Sequence, residues 1–388
     1  MATQSTRRAC TNAFLVLAVS MLSACATPQY WWTYQNNVEH TGGSAGVGRA
    51  PALLWDITLG GGSDLTPPVF GAIGDTFRLF LGTGYGDRSL YALSPYNGTT
   101  LWKFTAPMNN GFMGAPVAVN NHVFAATLGL TPHVYALEQP TGAVVWQTPL
   151  PSTGSRASIA MAVALGRVFV NTDAHQLLAL NALSGAILWS ANTSPGATSQ
   201  ESSPAVGINK VYVGSDDGLY AFEIATGALA WKYTLPTAVG FSSPVLVSSG
   251  AAVPLVLIST VDRKVHAVNA NTGVGVWTYT SNVSLADTSL AFADGRVFTR
   301  DLSGAVALDV NSGAVLWTSP FGISRKSPAI ARGVVFYADD DTVYGLDTAT
   351  GALTWKAQIP GGTVAGADMA IALEILIVPN HGRVYAFR

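Results

Sequence analysis

The sequence has 388 residues, 49% of them hydrophobic and 11% charged, with a formal net charge of −2. That charged share is far below the roughly 25% of ordinary soluble domains. Binding a phosphate backbone needs clustered Lys and Arg; no such cluster occurs, so nucleic acid is excluded as a partner.

The chain opens on an address. Arg7 and Arg8 precede an apolar run from Ala13 to Met21 and then Leu22-Ser23-Ala24-Cys25. Charge, apolar run and small residues in that order make 1–24 a signal peptide, and the run is too short for a transmembrane helix. Leu-Ser-Ala-Cys resembles the bacterial lipobox, which implies cleavage before Cys25 and lipid on its sulfur. Ala26, in place of Asp, resembles lipoproteins sorted to the outer membrane. The only other cysteine, Cys10, leaves with the signal peptide. The mature chain is therefore expected to carry neither a disulfide nor a Cys metal ligand.

Residues 25–49 are rich in Gly, Asn, Gln and Thr and are expected to form a lipid-anchored tether that becomes a strap over the following domain. The stretch from Trp32 to Gly42, with Asn37, His40 and Thr41, either packs that strap on one face or belongs to a ligand or partner surface.

From about Ala50 the sequence repeats. Trp55, Trp102, Trp146, Trp189, Trp231, Trp277, Trp317 and Trp355 follow one another at spacings of 47, 44, 43, 42, 46, 40 and 38 residues. A period of about forty built from short strands signals a β-propeller with about four strands per blade. Residues 50–388 are thus expected to form one all-β domain.

Each unit parses alike. A first strand opens with small residues and often proline, as in Ser202-Ser203-Pro204-Ala205, Ser242-Ser243-Pro244-Val245 and Lys326-Ser327-Pro328-Ala329. Small residues there suit the narrow end of a wedge near the axis. An apolar second strand follows, then a turn bearing Asp, Asn or Gly, a third strand, a Thr-Gly-type hairpin and a fourth strand with the tryptophan. The strand around Trp55 lacks three strands before it, and three strands follow Trp355. Val384 to Phe387 should therefore pair with Leu53 to Ile57, closing a ring of eight blades.

Seven tryptophans close an eleven-residue phrase of the type Ala-x-Asp-x-x-Thr-Gly-x-x-x-Trp, at Ala92–Trp102, Ala136–Trp146, Ala179–Trp189, Ala221–Trp231, Ala267–Trp277, Ala307–Trp317 and Gly345–Trp355. This resembles the tryptophan-docking motif of the quinoprotein (PQQ-type) eight-bladed propellers, over essentially the whole mature chain. The resemblance implies that all eight periodic tryptophans are structural and dock against a neighbouring blade. It also implies one of two functional branches: periplasmic dehydrogenases that bind pyrroloquinoline quinone, or non-catalytic lipoproteins of the BamB type in outer-membrane protein assembly.

In that family a quinone enzyme needs an aromatic platform, a catalytic carboxylate, a cation held by oxygen ligands and commonly a vicinal cysteine pair. Here the periodic tryptophans are engaged, Trp31 and Trp32 precede the propeller, and the cysteine pair cannot exist. Asp173, Asp216, Asp217, Asp262, Asp301 and Asp339 to Asp341 fall in turns between second and third strands, where Asp bonds backbone amides. His40, His122, His133, His175, His266 and His381 show no metal-ligand spacing. No catalytic, cofactor-binding or metal-binding residue is assigned. The expected molecule is a monomeric, non-catalytic scaffold, anchored through Cys25 on the periplasmic side of the outer membrane, with protein partners of the outer-membrane assembly type. A quinone-dependent or degenerate dehydrogenase, or a propeller binding a small ligand such as a glycan in its axial channel, are the alternatives.

Overall fold

The computed structural model describes residues 43–44, 51–60, 65–107, 110–112, 114–129, 131–151, 160–172, 174–193, 202–240, 242–285, 288–322, 326–339, 341–360 and 367–388. Residues 1–24, Cys25, Trp31 and Trp32 lie outside these. Eight antiparallel sheets follow one another along the chain, and no helix occurs among the described residues. They form an eight-bladed propeller. Blades 1 to 7 start at Val69, Val117, Ala160, Ala205, Val245, Ala291 and Ala329, and blade 8 starts at Ala370.

Blade 4 shows the pattern, with strands Ala205–Val206, Lys210–Ser215, Gly218–Glu223 and Leu229–Thr234 from axis to rim. The first strands of successive blades touch one another and so surround the axis. Second and third strands are buried almost throughout. The fourth alternates exposed and half-buried residues, as period-two geometry requires of an outer strand covered on one side. Inter-blade connections and the turns between second and third strands share one face, the connection face. The turns after the first and third strands share the other, the turn face.

The small residue of the repeated phrase has a packing reason. In blade 4, Tyr212, Ala221 and Trp231 stand in line across the second, third and fourth strands. The alanine methyl leaves room above it for the two rings to meet, with centroids 5.8 Å apart. The same bridge joins Phe80 to Trp102, Phe124 to Trp146, Phe169 to Trp189 and Phe298 to Trp317. A register shift follows the small residue, so the residue before each tryptophan is a bulge that increases the strand's twist.

The ring closes where the sequence places the seam. Leu53 pairs with Phe387, Trp55 with Ala386, Ile57 with Val384 and Thr58 with Arg383. Ala52 and Arg388 exchange both backbone hydrogen bonds at 2.8 Å, and Arg383 forms an ion pair with Asp56. Closure removes the incomplete edge that the last blade would otherwise expose.

Blade 7 has a fifth strand that no repeat announces. Gly43–Ser44 runs parallel to the first strand of that blade, Gly43 opposite Ile330 and Ser44 opposite Ala331. It adds on the axial side of the sheet. At these two residues the strap lies along the axis-facing edge, and the rest of 25–49 lies outside the described residues.

Candidate functional site

Three places concentrate specific geometry: the joints between blades, the edge around the axis and the two faces. At the joints, each indole reaches the hairpin between third and fourth strands of the next blade. Trp55 donates its Nε1–H to the Pro95 carbonyl at 2.8 Å and Trp231 donates to Ala270 at 3.0 Å. Trp102, Trp146, Trp189, Trp277 and Trp317 do the same to Gln139, Ala182, Ile224, Val310 and Thr348. The turn glycine is required twice over. Gly273 has φ of +72°, and a Cβ there would lie 2.7 Å from the Trp231 ring.

Trp355 differs. The blade that receives it has the chain ends, not a hairpin, between its third and fourth strands. Its ring makes edge contacts with Phe336 and Phe387, centroids 6.1 and 5.8 Å away. No indole hydrogen bond to a carbonyl like the other seven is found for it among the described residues.

At the axial edge the small residues opening the first strands bind one another. The backbone N–H of Ser203 donates to the Ser243 hydroxyl, Ser243 to Ser289 and Ser289 to Ser327, at 2.9, 2.9 and 3.0 Å. Ser327 N–H ends the relay on an Asp368 carboxylate oxygen at 2.8 Å. Each link crosses a blade boundary, and the four donor serines are buried. In the sequence only Ser203, Ser243 and Ser327 carry a signal, the recurring Ser-Pro of the first strands; Ser289 and Asp368 carry none. Pro67, Ala115 and Ala160 hold the same position in blades 1 to 3 and carry no acceptor on their side chains. Beside the relay, Lys326 has its pKa lowered by burial, with the nearby Asp368 acting against that shift.

On the connection face the acidic turn residues are engaged locally. Asp87 accepts from Tyr91 Oη and Lys103 Nζ, each at 2.7 Å, and Asp217 accepts from Tyr220 and Lys232 in the same pattern. Asp301 accepts from Tyr279, Asn282 and the Ser303 amide. Burial alone would raise the Asp301 carboxyl, yet these donors hold it below the usual range, while burial and Asp301 push Tyr279 up to about 12. Asp262 meets Thr260 and Lys264, Asp339 accepts from the Gly322 amide, and Asp341 meets Thr342 and Gln358. Asp173 and Asp340 lie outside the described residues. No group of three or more His, Cys, Asp or Glu placed to hold a metal occurs among the described residues.

His266 stands in the third strand where blades 1, 2, 4, 7 and 8 have Tyr91, Tyr135, Tyr220, Tyr344 and Tyr385, and is 5% exposed. Burial lowers its pKa. Below about pH 6.5 the unfolded chain therefore binds a proton that the folded chain refuses, and stability falls with pH until the folded pKa is passed. His266→Tyr should flatten this slope, read as the urea midpoint at about pH 7.5 and about pH 5.5; the depressed carboxylates act only at lower pH, near about 4.

On the turn face two clefts lie between neighbouring blades. One of about 240 Å³, lined by Ala72, Ala118, Val119, Asn120, Asn121 and Gln139, separates blades 1 and 2. The other, about 90 Å³, lies beside Leu165 and Leu183. Both are below the roughly 300 Å³ at which ligand pockets usually begin.

Two segments, 86–258 and 261–388, match the family model described as outer membrane protein assembly factor BamB, and together they make up well over half of the chain. The chain belongs to the BamB family. BamB of Moranella endobia is 24% identical over 222 residues, 53% of this chain and 55% of that protein. Tetrathionate hydrolase of Acidithiobacillus ferrooxidans is 26% identical over 244 residues, 57% of this chain and 46% of that protein. The chain thus spans about half the length of the curated relatives it matches. Among solved structures, BamB from Moraxella catarrhalis superposes with a TM-score of 0.66 at 17% identity, over 87% of this chain and all of that one. Quinohemoprotein alcohol dehydrogenase from Comamonas testosteroni gives 0.72 at 14% identity, over 92% of this chain and 80% of that one. At such identities the structural likenesses show the shared fold, which BamB and the dehydrogenases have in common.

Seven of the eight periodic indoles are spent at blade joints on outermost strands, and Gly43–Ser44 lies along the axial edge of blade 7.

Proposed function

We propose that this chain is a non-catalytic scaffold on the periplasmic side of the outer membrane, working with the outer-membrane protein assembly machinery. In this reading 1–24 is the signal peptide, Cys25 carries lipid, 25–49 is the tether and 50–388 is the propeller that docks protein partners. The observation that carries it is the match to the BamB family model along 86–258 and 261–388. The engagement of the turn carboxylates by neighbouring lysines, tyrosines and amides supports it. So does the loop-rich construction of the two faces, which suits docking rather than chemistry.

A second reading, an enzyme, has its own support in the similarity to tetrathionate hydrolase and in the fold shared with quinohemoprotein alcohol dehydrogenase. Two measurements separate them. In cells lacking their own BamB, the lipidated chain should restore outer-membrane protein levels. The purified chain with pyrroloquinoline quinone and Ca²⁺ should reduce no dye with alcohols or sugars, should leave tetrathionate unchanged, and should melt at the same temperature as without them. A ligand bound only by the folded state must stabilise it, by about 2.7 kcal/mol at a hundredfold excess over Kd. A rise of several degrees at micromolar quinone, or turnover of tetrathionate, would overturn the scaffold reading.

A further inference from the structure

We propose that the propeller itself touches the membrane: on the turn face, the sector of blades 3 to 5 dips aliphatic turn tips into a phospholipid surface, with Arg167 against the headgroup phosphates. This rests on the lipid-anchored reading above, which brings the ring to a membrane, and adds a second contact to it.

The turn face is divided by composition. The turns after the first and third strands of blades 3 to 5 present Leu165, Leu183, Ile208, Val253 and Val274, with exposures of 60, 79, 93, 38 and 63%. Glu223 is the one carboxylate in those turns, and Lys210 pairs with it at 3.7 Å. The corresponding turns of blades 6 to 8 are ionic instead, with Asp294, Asp309, Asp347 and Glu374, and Arg332 meets Glu374 at 2.8 Å. Single exposed leucines are ordinary on any surface; aliphatic tips in three consecutive blades make a one-sided apolar sector.

Leu165 carries a cost that the ring does not recover. Its φ of +51° lies in the left-handed region, where Asn, Asp and Gly are favoured. The equivalent turns of blades 2 and 6 place Asn120 and Asp294 there, each at +49°. Blade 8 also uses a leucine, Leu373 at +55°, but that side chain packs against the core. Leu165 is mostly exposed. A strained residue without a return in packing points to a use outside the folded chain.

Arg167 is built on the same turn. Its Nη1 donates to the Leu165 carbonyl at 3.3 Å, which holds the guanidinium beside the tip. Its Nε is buried without an acceptor, and no carboxylate pairs with it among the described residues. Arg296 makes the same bond to the Asp294 carbonyl at 3.0 Å, but there the turn brings its own carboxylate. Blade 3 thus joins an aliphatic tip to a cation, the combination that an interface of acyl chains under phosphates rewards. A protein partner would concentrate its binding energy in side chains that fill pockets. The cleft beside Leu165 and Leu183 holds only about 90 Å³, whereas a fluid acyl layer needs no pocket.

The test uses the full-length lipidated protein on vesicles of phosphatidylethanolamine and phosphatidylglycerol whose acyl chains carry a shallow nitroxide quencher. A fluorophore at Ser184→Cys, next to Leu183, should be quenched several-fold more strongly than one at Ala349→Cys in the matching turn of blade 7, or at Ser303→Cys on the connection face. Ile208→Asp should bring the Ser184→Cys signal down to the level of the Ala349→Cys label, and Arg167→Gln should at least halve it. Leu165→Asn should also weaken quenching while leaving the melting temperature equal or higher, a split that a merely structural leucine does not give. Equal quenching at the three labels, or an Ile208→Asp protein quenched like the parent, would overturn the proposal. The intact mass of the same preparation reports lipid on Cys25 separately. Its absence would sink the anchor reading, and with vesicles in excess the same labels still decide whether the tips enter lipid.

Discussion

Trp231→Ala is expected to destabilise the propeller by about 3 kcal/mol, the lower end of the range for truncating a large core aromatic, because the indole is half-buried. Two losses combine. The indole fills the space over Ala221 beside Tyr212 and against Gly273, and its N–H shares the Ala270 carbonyl with the Tyr212 hydroxyl, which lies 3.2 Å from it. No neighbour can collapse into the gap without moving one blade against the next. Leu229→Ala, on the same strand but exposed, should change stability little. Calorimetric melting of both variants checks this, and equally small shifts would mean that Trp231 does not tie the blades together.

Deleting residues 384–388 should have a still larger effect. The missing strand pairs on one side with Leu53–Thr58 and on the other with Ile375–Asn380, and it buries Tyr385 and Phe387. Its loss exposes two apolar strand edges at once and removes the Phe387 contact of Trp355. The expected outcome is aggregation or rapid proteolysis at temperatures the parent withstands, read by limited proteolysis and light scattering. A truncated chain as resistant as the parent would show that the ring closes elsewhere. Exposed edges of this kind are what natural sheets avoid.

Much of the ring is legible in the residues because it repeats. The tryptophan period marks the outermost strand of every blade, and the orphan strand around Trp55 announces that both chain ends meet in blade 8. The Asp-rich turns fall where the parse puts them. The rest involves contacts that leave no local pattern. The alanine of the repeated phrase gains its meaning only when Tyr212 and Trp231 are seen in line on either side of Ala221. Ser203, Ser243, Ser289 and Ser327 look merely small, since their acceptors serve amides about forty residues away on another blade. Gly43–Ser44 is two residues long, too short for any periodicity, and its parallel pairing is specified entirely by the inner edge of blade 7. Trp355 matches its repeat in sequence yet meets Phe336 and Phe387 instead of a hairpin.

The serine relay also makes the ring mechanically unequal. From Ser203 to Asp368 the blades are latched at the hub by bonds that resist sliding of one wedge past the next. Blades 1 to 3 have Pro67, Ala115 and Ala160 in the equivalent places, whose side chains offer no acceptor to continue the relay; there the Phe112 amide donates to the Thr83 carbonyl at 3.0 Å across the joint of blades 1 and 2. Shear of one wedge past the next must therefore break the serine bonds anywhere between blades 4 and 8, whereas the same motion among blades 1 to 3 leaves them intact.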